Sequence, residues 1–341
     1  MNLVTGGAGF IGINLVKELL KRGEKVRVID IAPCDDDVAR QIDYLNLDIR
    51  NRQKVIQACK DVDCIYHIIS LVPISKAGRG FWDVNVGGTR NILDGALEHG
   101  VKKIVHMSSS AVYDISQKHP LTEESPIKPL GVYARSKYDG ELVCYEYRQK
   151  GLNINIIRPR TVVGAGRLGV YQILFDWLRR GKRIYIIGAG NNKIQFIHVK
   201  DLVEAMIAMS KKADNEIFNL GTDRFGTLRQ DLEGLIDYAK TGSKIVGLPA
   251  GITIGFLKML DKINLSPLAD WHYLSYSKDF YFDISKAKKM LDWHPRYTNI
   301  EMLIESYQWY ISHMREAETA IGTTHRKSVK QRLLKFLRDL S

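Results

Sequence analysis

Cysteine is scarce and unpatterned: Cys34, Cys59, Cys64 and Cys144 are the only four among 341 residues, and no two form a C-x-x-C pair. This spacing excludes a disulfide-stapled fold and a thiolate metal centre, so no metal is expected, and it suits a reducing, cytoplasmic environment. Long apolar runs are missing as well: none reaches the roughly 18 residues that a bilayer-spanning helix requires. The chain enters an apolar stretch at Met1 without the basic start, hydrophobic segment or small-residue cleavage site of a secretory leader. Acidic residues are outnumbered, 38 against 50 lysines and arginines, for a net charge of +12. Such a surface attracts anions, whether a phosphorylated small molecule, nucleic acid or acidic lipid. A pure nucleic-acid-binding module is not expected, because the charge comes without an aromatic platform or a recognition helix.

What the chain does have is alternation. Short β-branched runs at residues 1–4, 25–29, 63–69, 103–107 and 154–157 predict strands. Amphipathic stretches at 11–21, 84–99 and 133–150 predict helices, each followed by a glycine suited to a C-terminal stop: Gly23, Gly100 and Gly151. Strand and helix in turn predict an α/β fold, a Rossmann-type doubly wound parallel sheet. After Pro159 the spacing becomes irregular, with a helix near 171–180 and a strand at 183–187, and then a helix at 199–210 and a strand at 216–220 return to the sheet. The expected organisation is therefore a dinucleotide-binding domain over 1–165, rejoined by 194–222. A smaller C-terminal substrate-binding lobe covers 166–193 and 223–315, and a basic tail covers 316–341.

The first strand runs into Gly6-Gly7-Ala8-Gly9-Phe10-Ile11-Gly12 and then a helix, the context in which a G-x-G-x-x-G pattern binds a dinucleotide. Gly6 permits the tight turn, Gly9 lets backbone approach a pyrophosphate, and Gly12 lets helix pack on strand. Asp30 closes the second strand, where a carboxylate accepts hydrogen bonds from the adenosine ribose and repels a 2′-phosphate. With Ile31, Ala32 and Pro33 next and no adjacent arginine, NAD is favoured over NADP.

Further along, Tyr133 and Lys137 stand at i and i+4, on one face of a helix, so the ammonium can lie near the phenol oxygen. A tyrosine with a pKa of about 10 becomes a usable general base when neighbouring positive charge stabilises its phenolate.

Together the glycine loop, Asp30 and Y-x-x-x-K resemble the extended short-chain dehydrogenase/reductase family, of the NAD-dependent epimerase/dehydratase type similar to UDP-galactose 4-epimerase. The resemblance extends through Asp48-Ile49, residues 66–70 with Ile68 and Ser70, residues 84–89 with Asn85, Arg158-Pro159, residues 196–201, 283–287 and 293–295. It implies that NAD is held by Gly6, Gly9, Phe10, Ile11, Gly12, Asp30, Asp48, Ile49, Ile68, Ser70, Asn85, Tyr133, Lys137 and Arg158. It implies Tyr133, Lys137 and Ser109 as the catalytic residues, with Ser109 bonding the reacting oxygen. It also implies a homodimer through the helices beginning near Val84 and Tyr133. Where similar sugar-nucleotide dehydratases carry Asp and Glu after that serine, this chain has Ser110 and Ala111, which argues against removal of water.

The expected substrate is a nucleotide sugar, most simply epimerised at C4 through a keto intermediate, with Ser109, Ser110, Tyr133, Thr161, Lys193 and Lys278 in contact with it. Similar epimerases hold the diphosphate with an Asn and an Arg at the positions of Thr161 and Ile194. Lys193, Arg160, Arg167 and Lys278 are the cations that could substitute, although the ordinary reading of each is a solvated surface charge. The apolar stretch 245–260 resembles 3β-hydroxysteroid dehydrogenase-like members, and the alternative is oxidation of a lipid or sterol alcohol with net NADH release. In the tail, Arg326, Lys327, Lys330, Arg332, Lys335 and Arg338 accompany Val329, Leu333, Phe336, Leu337 and Leu340 at helical spacing. Such a helix either packs on the protein or lies peripherally on the inner face of an anionic membrane.

Overall fold

The computed structural model describes residues 1–314 except 76, 169 and 263–269, so the tail at 316–341 lies outside the described residues. The strands are β1 (Asn2–Thr5), β2 (Val26–Asp30), β3 (Asp43–Asn46), β4 (Cys64–His67), β5 (Lys103–Met107), β6 (Ile154–Pro159), β7 (Thr161–Val163), β8 (Ile184–Ile187), β9 (Phe196–His198), β10 (Ile217–Leu220) and β11 (Ile245–Leu248). The helices are α1 (Phe10–Lys21), α2 (Asp36–Ala39), α3 (Arg52–Ala58), α4 (Gly80–Trp82), α5 (Gly88–Glu98), α6 (Gly131–Gln149) and α7 (Val170–Arg179), followed by α8 (Val199–Lys212), α9 (Leu228–Ala239), α10 (Ala250–Lys262), α11 (Asp270–Ser275), α12 (Ser285–Leu291) and α13 (Asn299–Ser312).

The central layer is the expected parallel sheet, seven strands in the order β10-β6-β5-β4-β1-β2-β3. Its apolar strands are covered on both faces, as parallel strands require. One buried cluster joins Leu15, Val16 and Leu19 of α1 to Leu202 and Met206 of α8; the other joins Val55, Ile92, Leu93, Val143 and Tyr147 of α3, α5 and α6. The order turns back between β1 and β4, which opens a crevice at the carboxyl ends of these two strands, where such sheets bind ligands.

Among the expected boundaries that moved, two bear on the site. β4 stops at His67 rather than at residue 69, because the Ile68 and Ile69 N–H groups turn to the Thr5 hydroxyl (3.1 and 3.3 Å). The expected helix start at residue 84 falls inside a π-turn over Asp83–Gly87, wound ahead of α5, and the Thr89 hydroxyl donates to the Asn85 carbonyl (2.7 Å). A widened turn of this kind re-aims side chains at functional sites; here it lowers Asn85 into the sheet crevice.

Two short parallel pairs, β7–β9 and β8–β11, lead away from the sheet. A third core, with Phe175, Leu178, Ile186, Leu235, Leu303 and Tyr310, lies among α7, β8, α9 and α13. The stretch 223–315 does not stay there. Ala287, Leu291 and Trp293 join the core beneath α8, and the Trp293 indole donates to the Asp201 carbonyl (2.9 Å). The Asp201 carboxylate accepts from the Arg296 guanidinium (3.2 Å), fastening the segment to the start of α8.

Candidate active site

The glycine loop has the form a dinucleotide needs. Gly6 has φ +75°, and a Cβ at Gly12 would lie 2.0 Å from the Gly6 carbonyl oxygen, so no larger residue follows this path. Gly9 caps α1, which Phe10 and Ile11 begin, with no side-chain cap and no acidic residue in the first turn. Its leading N–H groups are therefore left for an anion. Asp30, 3% exposed, accepts from the Ala8 and Ala32 N–H groups, both at 3.0 Å. Burial raises its pKa, and these backbone donors oppose the rise. Asp30 thus braces the glycine loop, and since a carboxylate has about four acceptor sites, lone pairs remain for ribose hydroxyls. A loop only glycine can follow, an uncapped helix start and a strand-end carboxylate fit a dinucleotide.

The neighbouring positions fall around the same crevice. Asp48 is held by the Arg50 guanidinium (3.0 Å), which keeps its carboxyl below the usual range. Ile49 is buried against Gly88. Asn85 is also buried; its side-chain oxygen accepts from the Leu71 N–H (2.8 Å) and the Ser70 hydroxyl (3.2 Å), and its amide donates to Ser136 (2.9 Å). Ser136 sits between Tyr133 and Lys137, so Asn85 ties the end of β4 to the helix carrying both.

Tyr133 and Ser109 come together: the serine hydroxyl lies close enough to the phenol to lower its pKa. Ser109 reaches it from the end of β5, where it caps the turn Ser110–Val112 by accepting from the Ala111 N–H (3.1 Å). Phe81 meets the Tyr133 ring edge-on, with centroids 6.1 Å apart. Burial raises the phenol's pKa, while the neighbouring Ser109 hydroxyl and then the Arg167 charge pull it down. Spacing did not show the partner that the structure gives the Lys137 ammonium: it donates to the Met107 carbonyl at the carboxyl end of β5, while Arg167 adds positive charge at Tyr133. Burial pulls Lys137 down to about 8, and it lies near two buried imidazoles whose pKa values burial also lowers, His67 to about 3 and His106 well below its ordinary value.

Arg158, expected at the cofactor, is instead committed inside the protein. Its guanidinium donates to both oxygens of Glu141 (2.9 and 2.6 Å) and to the Tyr113 hydroxyl (2.8 Å), with Glu141 and Arg158 both buried. The fork-to-fork pairing uses its charge before any ligand could. Glu141 also accepts from the Ser108 hydroxyl. It lies one turn beyond Lys137, and its charge raises the lysine's pKa against burial. Glu141 had no signal of its own in the sequence beyond that i+4 spacing.

The expected substrate cations divide. Lys193 and Lys278 are exposed; Lys278 lines a surface groove with Gln117, His119 and Asp279, apart from Tyr133 and Ser109. Arg160 and Arg167, whose ordinary reading was surface charge, are drawn inward. Arg160 is 5% exposed and donates to the Ser110 hydroxyl (2.9 Å), while Thr161 beside it is half-buried. Among the described residues, no helix is long and apolar enough to cross a membrane.

The sheet order and glycine loop define a dinucleotide-dependent enzyme of the doubly wound class. The chain belongs to the NAD-dependent epimerase/dehydratase family, whose model matches residues 2–221. With the family comes the cofactor, NAD, and the chain is an enzyme of the extended short-chain dehydrogenase/reductase type, as its motifs implied. It is 43% identical over 336 residues to the protein y4nG of Sinorhizobium fredii, covering 98% of this chain and 85% of that one. It is 30% identical over 333 residues to UDP-glucuronate 4-epimerase of Thermodesulfobacterium geofontis, covering 90% and 95%. Its backbone is similar to that of UDP-glucose 4-epimerase from Thermotoga maritima, with a TM-score of 0.78 at 24% identity, covering 92% of this chain and all of that one.

Proposed function

We propose that this enzyme epimerises a nucleotide sugar at a secondary alcohol, most simply C4, through a transient ketone. The observation that carries the reading is the juxtaposition of the Ser109 hydroxyl, at the carboxyl end of β5, with the Tyr133 phenol, whose pKa it lowers. NAD, held by the glycine-loop N–H groups, Asp30 and Lys137, supplies the hydride acceptor and donor. Ser109 orients the reacting hydroxyl, Tyr133 takes its proton and later returns it, and Lys137 is fixed by Met107 within the same corner. Ser110 and Ala111 offer no acid and base for expelling water, which favours epimerisation over dehydration.

Incubating the enzyme with UDP-, GDP- and dTDP-sugars, and separately with sterols plus NAD, tests this by epimer analysis and NADH absorbance. Epimer formation without net NADH is expected, falling about 10²- to 10⁴-fold in Tyr133→Phe. Steady NADH from a sterol with every sugar nucleotide inert would reverse the assignment. Exposed Leu97 on α5 and Leu142 on the adjoining α6 support a homodimer through these helices, which light scattering checks. Exposed Ile252, Phe256 and Met259 on α10, together with the basic tail, support contact with an anionic membrane; deletion of 323–341 should weaken sedimentation with anionic liposomes.

A further inference from the structure

Among the described residues, two arginines at the Ser109–Tyr133 corner, the buried Arg160 and the half-buried Arg167, have no counter-charge. Arg160 donates to Ser110 (2.9 Å) and lies 4.2 Å from the Phe280 ring centre and 5.7 Å from that of Phe282. Arg167 lies 5.5 Å over Phe10 of the glycine loop, and its charge acts on Tyr133. Tyr171 and Tyr276 lie within electrostatic range of both. Arg158 has Glu141, but among the described residues neither Arg160 nor Arg167 has a carboxylate partner, and the Nε of each is buried with no hydrogen-bond acceptor. Burial pulls Arg160 down to about 9 and Arg167 to about 10. Enclosing cations with unused donors is costly, and the cost is relieved when an anion enters beside them.

The position of that anion follows from the serines. Ser110 receives Arg160, and its neighbour Ser109 lies beside the Tyr133 phenol. The anion therefore lies next to the reacting hydroxyl and not across the sugar ring at the nucleotide end. We infer that Arg160 and Arg167 receive a carboxylate on the carbon adjoining the one that Tyr133 acts on, which makes the substrate an acidic sugar, a uronate, rather than a neutral hexose. For a reacting C4 hydroxyl, that carboxylate is the one borne by C5. The assignment rests on the reading of Tyr133 as acid/base for a nucleotide sugar. Arginine suits the role because its planar fork matches a carboxylate's two oxygens.

Calorimetric titration of the NAD-loaded full chain with UDP-glucuronate, UDP-glucose and UDP tests the inference. The uronate should bind about tenfold more tightly than the hexose, as expected for charge-assisted hydrogen bonds to one carboxylate. Arg160→Met and Arg167→Met should erase that preference and leave UDP binding unchanged. Equal affinities in the natural enzyme overturn the inference, and so does loss of UDP binding in both variants, which assigns the pair to the diphosphate. Arg160→Lys, which keeps the charge without the fork, should keep part of the preference, and it serves if the methionine variants fail to fold. Thermal unfolding with free glucuronate or glucose probes the pocket without any nucleotide. The midpoint should rise with glucuronate alone, and not in Arg160→Met, whose ligand-free midpoint should match or exceed that of the natural chain. If the sugar-nucleotide reading is wrong, UDP-sugars stay unbound while the glucuronate shift persists; absence of that shift overturns the pocket itself.

Discussion

Replacing Glu141 with glutamine keeps the shape of the side chain but removes the charge that both Arg158 and Lys137 depend on. Glu141 is fully enclosed and accepts from the Arg158 guanidinium at 2.9 and 2.6 Å, with the Ser108 hydroxyl as a third donor. A glutamine presents an NH₂ toward one of these donors and leaves the guanidinium without its anion. Removing one member of a buried pair typically costs about 3–5 kcal/mol, a large share of the ~5–15 kcal/mol that holds a domain folded. Urea unfolding followed by circular dichroism measures the loss. The double variant Glu141→Met/Arg158→Met should regain much of it, since apolar replacement of a whole buried pair is often close to neutral. A second readout separates this from general damage. The Glu141 charge holds Lys137 up against burial, at about 8; without it the lysine loses its proton at lower pH, and the limb of turnover that needs the ammonium moves in the acid direction. A loss below about 1 kcal/mol, the level of an exposed pair, with an unmoved pH limb would refute the network.

Lys137 also makes stability depend on pH. Its folded pKa, about 8, lies below the ordinary 10.5, so between those values the unfolded chain holds the proton more tightly and stability rises with pH. At pH 7 the buried ammonium costs about 3 kcal/mol; Lys137→Met should lose turnover, gain stability at pH 7 and lack that rise, whereas a variant less stable than the natural chain at pH 7 would contradict the burial cost. At the glycine loop, Gly12→Ala places a Cβ 2.0 Å from the Gly6 carbonyl oxygen. The turn must then open and NAD binding should be lost, as read by fluorescence titration; retained binding would mean the loop is not the site.

The parts of the site that were legible in the sequence are local in the chain. The glycine loop lies within one strand-to-helix junction, Asp30 ends the next strand, and Tyr133 and Lys137 are a helical turn apart. What was not legible depends on distant partners. The i,i+4 spacing aligned Lys137 with the phenol, but the ammonium ends on Met107, thirty residues earlier in the chain. Arg158 read as a cofactor contact because its partner Glu141 comes from another element. Composition says nothing of burial, so Arg160 and Arg167 looked like Lys193 and Lys278 until packing separated them. β3, a short edge strand with the polar ends Asp43 and Asn46, carries too little periodicity to be recognised.

The return of residues 285–296 to α8 has a practical consequence. A fragment cut at the boundary of the family match, after residue 221, contains the glycine loop, Tyr133 and Lys137. It would nevertheless leave the outer side of α8 stripped of Ala287, Leu291 and Trp293, and Asp201 stripped of Arg296. An apolar strip laid bare in this way draws chains into aggregates. The cofactor half of this enzyme is therefore not a piece that can be excised from one end, and trimming it for expression removes part of its own core.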